Sequence, residues 1–81
     1  MEELLLYNIN QQVSHLNINF NSLSISAEEN TLFLDLDTEY VGITYIGNAM
    51  LRNELRCIIK IVLKIHGYNY IFYDILFHYN G

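Results

Sequence analysis

The residues best placed to do chemistry are Asp35 and Asp37, in the segment Phe33-Leu34-Asp35-Leu36-Asp37-Thr38-Glu39. Alternate side chains of a strand share a face. These two carboxylates therefore project together, the arrangement by which acids converge on a magnesium ion. Other reactive residue types are scattered. His15, His66 and His78 lie far apart and lack the spacing of a metal-binding set. The single Cys57 has no second cysteine for a disulfide or a cysteine-type metal site. No glycine-rich turn presents a serine as a nucleophile. The plainer reading of the acidic string is the solvent face of an antiparallel strand whose other face, Leu32, Leu34 and Leu36, turns to a core.

The string resembles the aspartate-containing first motif of haloacid-dehalogenase-like phosphatases and, more loosely, that of proofreading-type exonucleases. The phosphatase resemblance implies a nucleophile at Asp35 and a general acid at Asp37. Beyond this segment the chain departs from it. That family needs far more than 81 residues, a later lysine and further acids beyond a parallel crossover, and here Asp74 follows only as a distant acid. The reading is therefore a non-enzymatic protein without metal or cofactor.

Charge placement carries the functional reading. All 4 basic residues, Arg52, Arg56, Lys60 and Lys64, recur at every fourth position, which puts them along one face of a helix. They read as a solvated outer face, as an ion-pairing surface within or between subunits, or as a nucleic-acid or membrane surface. Glu28, Glu29, Asp35, Asp37 and Glu39 are clustered with no base among them, and the net charge is −5. That balance disfavours phosphate binding. It suits solubility, or docking onto a basic groove that otherwise holds DNA or RNA.

The elements that position these residues follow from periodicity. Leu5, Leu6, Ile9, Val13 and Leu16 share a face at helical spacing over residues 2–16, although Asn8 and Asn10 are poor helix formers and leave a strand open. From Leu16 the period becomes two, through Ile18 and Phe20 to Leu23 and Ile25, with a slip at Asn21-Ser22 that suggests a bulge. Glu28-Glu29-Asn30 reads as a hairpin turn, Thr31 to Asp37 as a strand, and Tyr40 to Ile46 as another. A long helix runs from about Ala49 to His66 and stops at Gly67. Its apolar face, with Met50, Leu51, Leu55, Ile58, Ile59, Ile61, Val62 and Ile65, is too wide for one sheet and calls for the first helix or a second subunit. Tyr70 to Tyr79 is apolar on both alternations and reads as a strand buried on both faces.

The expected architecture is a single α+β domain over 1–81. A small antiparallel sheet of 3–5 strands packs against one long helix in the C-terminal half, with a short N-terminal helix or strand. Ile58, Val62, Ile65, Tyr73 and Phe77 are expected in the core or in a homodimer interface. The apolar stretch from Leu55 to Ile65 is broken by charges, so no membrane span is expected. The acidic N-terminus is unlike a signal peptide. The expected function is a cytoplasmic regulator or inhibitor from a phage or other mobile element. It would bind a basic host or viral protein through Glu28, Glu29, Asp35, Asp37 and Glu39, a CRISPR or other defence protein being the concrete case. The rival reading is a dimeric nucleic-acid-binding regulator using the basic stripe. A small magnesium-dependent hydrolase is the third.

Overall fold

A computed structural model describes residues 2–36, 49–68 and 74–78. In chain order they form helix α1 (Glu2–Val13), strands β1 (Phe20–Ser26) and β2 (Thr31–Leu36), helix α2 (Ala49–Ile65) and strand β3 (Asp74–His78). The chain is α+β as expected. Its described sheet is mixed, in the order β1-β2-β3. β1 pairs antiparallel with β2, whereas β2 pairs parallel with β3, which corrects an all-antiparallel sheet. A parallel neighbour requires the chain to travel back along the sheet before the next strand begins, and α2 lies between β2 and β3 in the chain. The expected strand Tyr40 to Ile46 and the acids Asp37 and Glu39 lie outside the described residues.

The helical reading of the N-terminus is the correct one. Glu2 and Glu3 sit at its positive end. Leu5, Ile9 and Val13, each four residues after the last, are fully buried. The helix tightens into a 3₁₀ turn at Ser14–Leu16 and stops at Asn17, whose φ of 57° lies in the left-handed region that Asn tolerates. That turn occupies the residues whose alternation pointed to a strand from Leu16, so β1 begins only at Phe20.

The β1–β2 hairpin follows the sequence pattern closely. Its register slips between Phe20 and Ser22, where the apolar alternation changes phase. Leu23 pairs with Leu34 and Ile25 with Leu32, so the apolar residues of both strands share one face. Asn30 closes the turn with φ 51°. Its carbonyl accepts from the Asp74 N–H at 2.8 Å, which fixes the start of β3 against the turn. Ile75 stands opposite Leu32 and Phe77 opposite Leu34, extending the apolar face across the sheet. Phe77 stacks on Phe20 with ring centroids 5.8 Å apart.

Both helices lie on this face. α1 runs antiparallel to β1, since Asn10 meets Phe20 while Glu2, Glu3 and Leu6 meet Asn21–Leu23. β2 opposes β1, and α2, returning between two parallel strands, opposes β2. The two helices therefore run antiparallel to each other. α2 buries Leu55, Ile59, Val62 and Leu63. It ends as expected at Gly67, whose φ of 86° permits the left-handed stop. The Tyr68 N–H donates to the Leu63 carbonyl and the Gly67 N–H to the Lys64 carbonyl, each at 3.0 Å. This paired closure satisfies carbonyls the helix leaves open.

β3 is not buried on both faces. Ile75 is in the core and Phe77 packs against it, but Asp74 is exposed and Leu76 is 46% exposed on the opposite face. A double apolar alternation does not ensure a double-sided burial, because a strand's second face is covered only if another layer reaches it. Tyr70, Tyr73 and Tyr79 lie outside the described residues.

Candidate functional site

Asp35 lies on the sheet face away from the helices, opposite Ser22 on β1 and His78 on β3. Its Oδ1 is buried without a hydrogen-bond partner, and the His78 Nε2 is 3.9 Å away, too far for a hydrogen bond. The His78 ring meets Phe33 edge-on with centroids 6.2 Å apart. Asp74 is on the same face but opposite Thr31, four strand positions from His78 and so about 13 Å along β3. No three metal-binding side chains gather among the described residues. The pairing of Asp35 with Asp37 falls outside them.

The acids expected to act together are divided by the hairpin. Glu28 and Glu29 are exposed in its turn. The Glu29 N–H donates to the Ser26 Oγ at 3.2 Å, and the Thr31 Oγ1 donates to the Glu29 carbonyl at 2.9 Å. The turn is thus held by its own polar atoms, and the carboxylates point to solvent. Asp35 stands four strand positions from Thr31, about 13 Å along β2, and Glu29 lies in the turn beyond Thr31. Glu28 and Glu29 form an acidic tip; Asp35 belongs to a separate, half-covered place on the sheet.

The basic stripe occupies a flank of α2. Arg52, Arg56 and Lys60 are half-buried, and Lys64 is exposed. Arg56 reaches β3: its Nε donates to the Ile75 carbonyl at 3.2 Å, and its guanidinium lies 5.6 Å from the Phe77 ring centre. Such a contact adds cation–π attraction and satisfies a backbone carbonyl. The exposed side of α2 is mixed: Met50 is 85%, Ile61 62% and Ile65 77% exposed, beside the exposed Cys57, Asn53, Glu54 and Lys64. The stripe is thus divided, with Lys64 in solvent and Arg56 turned to β3. The helix bears more apolar residues than the sheet can cover, so apolar side chains share its outer side with charged ones.

Part of that excess lines a groove of about 330 Å³ between α1 and α2, built by Asn8, Gln12, Ile58, Ile61, Ile65 and His66 over Val62. Asn8 Nδ2 and His66 Nε2, 2.8 Å apart, tie the helices together at its end. The groove separates the residues expected in a core or dimer interface. Val62 belongs to the core, Phe77 and Ile58 pack against it, Ile58 and Ile65 line the groove, and Tyr73 is outside the described residues. Sequence reading passed over Asn8, Gln12 and His66. The width of the apolar face of α2 was the signal that a second surface flanked it.

The chain matches no protein-family model, no curated protein and no solved structure.

Proposed function

We propose that this chain is a non-enzymatic, protein-binding regulator that docks an acidic end onto a basic partner. The observation that carries the reading is the segregation of charge. Glu28 and Glu29 stand exposed at the hairpin tip, whereas the basic residues line one flank of α2, where Arg56 is held by β3. A partner that handles nucleic acid, such as a CRISPR or other defence protein met by a phage-encoded inhibitor, offers the complementary basic groove. Spaced carboxylates on a preformed turn replace phosphates there at little ordering cost.

The basic flank supports nucleic-acid binding less well. Arg56 is engaged by the sheet, and the net charge of −5 opposes approach to phosphates. The hydrolase reading has less support, since Asp35 is accompanied by a histidine at 3.9 Å and by no second carboxylate among the described residues.

The test is capture of partners on immobilised protein, comparing wild type with Glu28→Lys/Glu29→Lys. The double variant is expected to lose a basic protein that the wild type retains, and excess DNA or RNA is expected to compete with that retention. Unchanged capture of every partner by the variant would refute acidic docking.

A further inference from the structure

The helical layer has a charge polarity of its own. α1 lies against β1 and α2 reaches β3, so one edge of the layer carries Glu2 and Glu3 and the other carries Lys60 and Lys64. Between these edges the outward surface carries large apolar side chains, interrupted by the exposed Gln11, Asn53 and Glu54. Leu4 and Tyr7 of α1 and Met50, Ile61 and Ile65 of α2 are each more than half exposed. A helix covering a sheet ordinarily turns polar residues outward. Among the described residues, only Leu76 of the large exposed apolar side chains lies elsewhere.

We propose that this surface pairs with a second copy of the chain about a two-fold axis running along the α1–α2 groove. Such an axis lies in the interface and lays α1 of each copy over α2 of the other. The contact is isologous, so each complementary pair occurs twice. The antiparallel run of the two helices matters here, because it brings the acidic N-terminal end of α1 toward the C-terminal turns of the opposing α2. The acidic edge of each copy thereby faces the basic edge of the other. The five apolar side chains leave on the order of 500 Å² in water, most of the roughly 800 Å² that one partner contributes to a standard interface. Asn8 and Gln12 in the groove lining and the exposed Cys57 extend the area. This pairing leaves the Glu28–Glu29 tip outside the contact, so it is independent of the docking proposed above.

Sedimentation velocity in the micromolar range tests it directly. The wild type is expected to sediment as a dimer, and Ile61→Glu is expected to weaken association at least about tenfold. Ile61 is exposed in the single chain, so far-UV dichroism and Tm should be retained. Glu2→Lys/Glu3→Lys should weaken the dimer at low salt, and adding Lys60→Glu/Lys64→Glu should restore it. Leu76→Glu, on the opposite side of the sheet, should leave the dimer intact. A monomeric wild type, a dimer indifferent to Ile61→Glu, or a dimer broken only by Leu76→Glu would overturn the proposal.

Discussion

The two helices solve the same packing problem by different means. α1 has modest local credentials, with Asn8 and Asn10 in its interior, yet it buries an unbroken line of Leu5, Ile9 and Val13. The asparagines that weaken it locally are the residues that attach it. Asn10 Oδ1 accepts from the Phe20 N–H at 2.8 Å and its Nδ2 donates to the Phe20 carbonyl at 3.0 Å, while Asn8 meets His66. The same side chain thus substitutes for a strand partner at the bulged start of β1. α2 needs less help. Its apolar periodicity is strong, its C-terminus closes on Gly67, and its surplus apolar residues remain exposed. Apolar periodicity and a glycine stop select α2, and tertiary hydrogen bonds help to select α1.

The largest effect that would test this contrast comes from the inner face of α2. Leu63→Ala removes a fully buried side chain and is expected to cost about 2–5 kcal/mol in denaturant unfolding. A loss below about 1 kcal/mol would mean that α2 is not seated as described. Next comes the attachment of α1. Asn10→Leu leaves the Phe20 amide and carbonyl without their partner, for an expected loss of about 1–3 kcal/mol. Hydrogen exchange should then quicken at Phe20 more than within α2. If both regions quicken equally, the asparagine is not the specific tie.

Smaller effects probe the end and flank of α2. Gly67→Ala meets nothing within 4 Å, so its cost reflects the backbone at φ 86° alone and should be about 1 kcal/mol by thermal unfolding. A neutral result would show that the stop relaxes without the left-handed residue. Arg56→Lys keeps the charge but loses the Nε donor and the planar group near Phe77. It should cost about 0.5–1 kcal/mol, and Arg56→Ala should cost more. Equal values for the two variants would mean that the charge and stem add nothing beyond the guanidinium's own contacts.

Much of the fold was legible because it rests on short-range pattern. The phase slip at Asn21-Ser22, the turn before Thr31, the inward leucines of β2 and the stop at Gly67 all follow from residue type and spacing over a few positions. The candidate site was less legible. Glu28, Glu29 and Asp35 are close in sequence, but the extended strand carries Asp35 about 13 Å from the end of the turn. The basic stripe was legible as a helical line, but which of its residues turns to the sheet and which to solvent depends on its angle about the helix axis. That angle depends on where the core lies, and no local spacing contains it.

The sequence by itself determined the long helix, the hairpin and the division of charge, because each depends on local periodicity and on residue chemistry that survives folding. Only the tertiary structure decided that β3 runs parallel to β2, that Arg56 is taken up by a strand carbonyl, and that Ile61 and Ile65 face outward. These depend on contacts between elements distant in the chain. Whether a side chain ends in water or in the core is set by which neighbouring surface arrives to cover it.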